Sequence, residues 1–151
     1  MSALNRILLV EDNEEDVELT MAALEELKLA NEVVVTRDGV EALDYLYRRG
    51  PYGGRAEENP VVVLLDLKMP RVDGLQVLRQ IKGDDALKTT PVVMLTSSRE
   101  ERDLVESYRL GANAYVVKPV DFEKFTEAVR ELGVFWALIN EAPPRGAAAR
   151  S

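Results

Sequence analysis

Five short apolar runs, rich in β-branched residues, punctuate the chain: "RILLV" (6–10), "EVVVT" (32–36), "VVVLL" (61–65), "PVVML" (91–95) and "AYVV" (114–117). Their near-continuous apolar character reads as strands buried on both faces. Between them the spacing turns helical, as where Val17, Met21, Leu24 and Leu27 share one helix face. Asp38 with Glu41, Ser97 with Glu100, and Asp121 ahead of "FEKF" read as helix N-caps, the first two with a capping-box partner. Strand and helix alternate along the chain, which predicts an α/β domain whose parallel sheet is covered by helices on both faces.

Sheets of that kind bind ligands beyond the carboxyl ends of their strands, where the strand order reverses. Glu11 and Asp12 follow the first run, Asp66 the third, Thr96 to Ser98 the fourth, and Lys118-Pro119 the fifth. Asp66 stands out because an acid directly after five apolar residues is costly to bury without partners. The second run ends at Thr36 and Arg37, to which we assign no role. Read singly, the others have plainer explanations. Glu11 and Asp12 favour a helix N-terminus through its dipole, Lys118 is a surface lysine, and Thr96 is a strand-end hydroxyl. Converging on one edge, they are more specific. Three close carboxylates cannot all stay ionised without a cation, and an oxygen-rich site suits Mg²⁺. A metal, a lysine and a hydroxyl around one carboxylate make a cradle for a phosphoryl group, with Asp66 as the nucleophile.

Composition narrows the alternatives. A chain of 151 residues fits one domain, and a net charge of −8 argues against unspecific binding to nucleic acid or anionic membrane. There is no cysteine, which suits a cytoplasmic protein, and no histidine, which excludes Ser-His and Cys-His nucleophile pairs and argues against zinc. No stretch predicts a membrane span or signal peptide. Neither GxGxxG nor GxxxxGK[ST] occurs, so nucleotide binding has no support.

At "VEDN" (10–13), "LLDLKMPRVDG" (64–74), "LTSS" (95–98) and "YVVKP" (115–119) the chain resembles the receiver domain of two-component response regulators, over about residues 4–133. The resemblance implies a doubly wound, flavodoxin-like five-stranded sheet in the order 2-1-3-4-5. It implies Asp66 as phospho-acceptor, with Mg²⁺ held by Asp12, Asp66, the backbone carbonyl of Lys68 and, through water, Glu11. Thr96 and Lys118 would hold phosphoryl oxygens, Tyr115 would turn inward as Thr96 moves, and a cis Lys118-Pro119 bond would aim the lysine. Two features depart from the commonest pattern: the acidic pair is Glu-Asp, and Lys68 brings a long cation beside the site. The long loop "GPYGGRAEENP" (50–60) and the long last helix resemble a subgroup of stand-alone regulators paired with phytochrome-type sensor histidine kinases.

That last helix is expected to run from 121 to about 140, closing a domain of 4–141 before a flexible tail, 142–151. Phe122, Phe125, Val129, Leu132, Trp136 and Ile139 form a seam. Its first half is expected on the sheet. About 20 helical residues span about 30 Å, whereas a strand covers about 17–20 Å, so the second half should overhang. We therefore expect a homodimer through this helix, with Phe125, Phe135, Trp136 and Ile139 as contact residues, although Gly133 could interrupt it.

The function so implied is a stand-alone switch that accepts a phosphoryl group from a sensor histidine kinase and signals by protein contact. The alternative is a relay intermediate that passes the group to a histidine phosphotransfer protein. An enzyme of the haloacid dehalogenase class would need a second acid two residues after the nucleophile, where Lys68 stands. A receiver that never accepts phosphate would not need Asp66, Asp12, Thr96 and Lys118 together.

Overall fold

The computed structural model describes residues 6–26, 33–54, 59–69, 72–97 and 101–132. Strands β1 (Ile7–Val10), β2 (Val33–Thr36), β3 (Val62–Asp66), β4 (Val92–Thr96) and β5 (Ala114–Val117) alternate with helices α1 (Glu14–Glu26), α2 (Gly39–Leu46), α3 (Gly74–Gly83), α4 (Glu101–Arg109) and α5 (Phe122–Leu132). The sheet is parallel throughout, in the order β2-β1-β3-β4-β5.

The unbroken apolar runs follow from two cores that share one sheet. Successive strand residues point to opposite faces. Ile7 and Leu9 join Leu64, Val93 and Leu95 beneath α1 and α5. Leu8 and Val10 join Val63, Leu65, Val92 and Met94 beneath α2 and α3. With both faces covered, a polar residue in mid-strand would be buried whichever way it pointed, so polarity waits for the strand ends.

Helix starts follow the expected side chains, with one difference. Asp121 accepts a hydrogen bond from the Lys124 N–H at 2.8 Å, and Asp38 accepts one from Glu41 N–H at 2.8 Å. Glu41, however, accepts from the Arg37 N–H, one residue before the cap. The reciprocal capping box is instead at α3, between Asp73 and Gln76. Ser97 is exposed, and its expected partner Glu100 lies outside the described residues.

In the loop expected over 50–60, Gly50–Tyr52 form a short 3₁₀ turn. The Tyr52 ring meets Tyr45 edge-on at 5.1 Å, and its hydroxyl donates to Glu41 at 3.0 Å. Burial, the charge of Glu41 and that hydrogen bond push the Tyr52 phenol up to about 12.

On α5 one expectation is corrected. Phe125 is 0% exposed, set between α1 and the sheet with Val129 and Val120. A ring closed into the domain's own core offers no surface to a second chain, so it is not a dimer contact. Phe135, Trp136 and Ile139 lie outside the described residues. No described helix is long and apolar enough to cross a membrane.

Candidate functional site

The order of strand addition reverses at β1, whose neighbours β2 and β3 lie on opposite sides. The sheet's carboxyl edge there is the crevice in which doubly wound folds bind ligands. Backbone pairing runs past the strand ends. Glu11 N–H donates to Thr36 O at 2.9 Å, Leu67 N–H to Leu95 O at 3.2 Å, and Lys118 N–H to Thr96 O at 2.7 Å. Glu11, Asp66 and Lys118 are therefore held by the sheet itself rather than by free loops. Asp66 and Thr96 are the last residues of β3 and β4, one position deeper than the sequence reading placed them. Gly74 packs directly on the backbone at the end of β3: a Cβ there would lie 2.2 Å from Asp66 O, so no larger residue fits without moving the backbone.

Glu11 is fully buried. Its Oε2 accepts from Asn13 N–H at 3.2 Å. Its Oε1 lies 2.6 Å from Lys118 Nζ, an ion pair by distance, yet has no aligned hydrogen bond. The same ammonium is 2.9 Å from Asp16 Oδ2 and 3.3 Å from Asp66 Oδ1. Burial alone would lower the pKa of Lys118. The ion pair with Glu11, the hydrogen bond to Asp16 and the charge of Asp66 outweigh it, pushing the ammonium up to about 12 and keeping it charged. The pKa of Asp66 is also raised, which for an acid disfavours the charged form. Burial first, then the charge of Glu11, raise it to about 7, while Lys118 pulls it back.

Glu11, Asp12 and Asp66 each place a carboxylate oxygen within 4.8 Å of the others. Carboxylate oxygens suit a hard divalent cation, and Glu11 Oε1 is a buried acceptor without an aligned donor. The residues fit a metal: a cation among these three carboxylates would offset their mutual repulsion and favour the ionised form of Asp66. The Lys68 side chain is exposed, with its ammonium 3.9 Å from Asp103 on α4. Thr96 is buried at the end of β4. Tyr115, level with Met94 across the ladder, is half-buried and lines a groove with Tyr108, Lys124 and Glu127. The Lys118-Pro119 bond is cis, as expected.

Sequence reading missed Asp16. Its place in the first turn of α1, four residues after Asp12, was the available signal. Acids in a first helical turn usually serve the dipole, so that signal alone is weak.

A 2-1-3-4-5 sheet that gathers three carboxylates, a lysine and a threonine at its switch point defines a signalling switch of the receiver type. The chain belongs to the response regulator receiver domain family, which it matches over residues 7–130. It is 64% identical to the bacteriophytochrome response regulator AtBRR, with a TM-score of 0.83, covering 93% of this chain and 100% of that one. It is 40% identical to the phosphorylated cyanobacterial phytochrome response regulator RcpA, with a TM-score of 0.75, over 89% of this chain and 95% of that one. Response regulator Rcp1 of Synechocystis sp. is 37% identical over 86% of this chain and 87% of its own length. The Mn²⁺-bound form of Rcp1 superposes with a TM-score of 0.74 at 36% identity, over 93% of this chain and 99% of that one.

Proposed function

We propose that Asp66 accepts a phosphoryl group from the phosphohistidine of a sensor histidine kinase, and that the acyl phosphate alters this protein's contacts with its partners. The observation that carries the reading is a buried carboxylate at the end of β3, 3.3 Å from a lysine and clustered with two further acids. A carboxylate oxygen of Asp66 forms the new P–O bond as the P–N bond to the donor imidazole breaks, with the electron pair staying on nitrogen. Lys118 and the Thr96 hydroxyl hold the phosphoryl oxygens. A Mg²⁺ held by Glu11, Asp12, Asp66 and the Lys68 carbonyl would neutralise charge on the phosphoryl group. The likeness to AtBRR and RcpA supports a phytochrome-type kinase as donor. A homodimer through Phe135, Trp136 and Ile139 rests on the sequence pattern, and light scattering tests it.

The direct test is incubation with acetyl phosphate and Mg²⁺ followed by intact mass. One added phosphoryl mass, removed by hydroxylamine and absent in Asp66→Asn, is expected. An adduct that survives in Asp66→Asn would overturn the assignment.

A further inference from the structure

The packing of α1 against Lys118 contains a relationship that phosphoryl acceptance by itself does not require. Asn13 caps α1: its Oδ1 accepts from the Asp16 N–H at 3.0 Å. In a capping box the acid three residues on would reach back to the N–H of the cap. Here that N–H is donated to Glu11 Oε2 instead. The carboxylate of Asp16 is left out of the cap and turns across to Lys118, 2.9 Å from Nζ.

Three acids thus share one ammonium, and they are not equivalent. Glu11 and Asp66 belong to the carboxylate cluster with Asp12, whereas Asp16 does not. A cation held by that cluster would draw on the charge of Glu11 and Asp66, leaving Asp16, outside the cluster, as the acid paired with Lys118. The Asp16 side chain is also the most exposed of the three, at 29% against 0% for Glu11 and 8% for Asp66. Its hydrogen bond to Lys118, at 2.9 Å, is shorter than the 3.3 Å approach of Asp66, and its exposure to solvent leaves it exchangeable.

We propose that Asp16 is a positioning residue that holds Lys118 back from Asp66, favouring metal binding at rest and opposing the phosphorylated state. This deepens the reading of Asp66 as phosphoryl acceptor and rests on it. An ammonium has three donors, and a phosphoryl group on Asp66 competes with Asp16 for them. Removing the charge of Asp16 has two effects of opposite sign. Without a cation, Lys118 closes on Glu11 and Asp66, so Mg²⁺ displaces it less readily. With the cation bound, the freed lysine grips a phosphoryl group more tightly. A residue that merely stabilised the fold would move both in the same direction.

The test uses the full chain with Asp16→Asn, which keeps the size and an acceptor oxygen, and Asp16→Glu, which keeps the charge. Calorimetric titration with Mg²⁺ is followed by titration with beryllium fluoride, a phosphoryl mimic, at saturating Mg²⁺. Asp16→Asn is expected to weaken Mg²⁺ and to strengthen beryllofluoride, each by about two- to fivefold, and Asp16→Glu to restore both toward wild type. Unchanged affinities, or two that fall together, would overturn the proposal. If wild type binds beryllofluoride and Asp16→Asn matches it, the role of Asp16 alone fails. If wild type binds none in Mg²⁺, the acceptor reading fails and takes this proposal with it.

Discussion

Lys118 Nζ stands 2.6 Å from the fully buried Oε1 of Glu11, joining the end of β5 to the end of β1 across the switch point of the sheet. This pair sets the electrostatics of the edge, because the Glu11 side chain is 0% exposed and Lys118 is only 10% exposed.

Lys118→Met should leave Glu11, Asp16 and Asp66 facing one another without a cation. Removing one partner of a buried pair costs about 3–5 kcal/mol. Urea denaturation in chelator at pH 7.5 should show a loss of that order, with part of it recovered on adding Mg²⁺. An unaltered midpoint would mean that water already solvates the cluster.

The raised pKa of Asp66 predicts a pH dependence of the metal-free protein. Burial and Glu11 lift it to about 7 from the ordinary 3.8. The folded state thus binds this proton more tightly than the unfolded chain. Its contribution to stability is fully present below the unfolded value, near 4, and is lost as pH rises through about 7. The full linkage is at most about 4 kcal/mol at one pKa unit per ~1.4 kcal/mol. Asp66→Asn should therefore stabilise the metal-free protein more at pH 8 than at pH 5. Equal gains at the two pH values would place Asp66 in ordinary solvent.

Phe125→Ala should act through the core. A buried Phe truncated to Ala costs about 3–5 kcal/mol, read as a lowered denaturation midpoint. Under conditions where the variant stays folded, self-association measured by sedimentation should match wild type, because the ring is closed inside the domain.

Lys68→Ala should change little. The side chain is 68% exposed and its ionic contact is with Asp103 at 3.9 Å, a pair worth about 0–1 kcal/mol. Mg²⁺ affinity by calorimetry should stay within about twofold of wild type, since truncation leaves the backbone carbonyl in place. A larger change would bring the ammonium back to the metal site.

Much of this was legible from the chain alone, for a local reason. The runs 6–10, 32–36, 61–65, 91–95 and 114–117 announce the five strands because a sheet covered on both faces tolerates no polar mid-strand residue. The same constraint drives chemistry to the strand ends, so Glu11, Asp66, Thr96 and Lys118 could be named before any contact was known. What only the tertiary structure decided was pairing between residues far apart in sequence. Asp16 and Lys118 meet because the lysine beyond β5 reaches across the carboxyl edge to α1, and Asp16 is free to do so because Glu11 has taken the N–H of Asn13. The direction of Lys68 and the closing of Phe125 into the core are of the same kind. Periodicity names the face on which a side chain lies, but which neighbour covers that face depends on how the elements assemble.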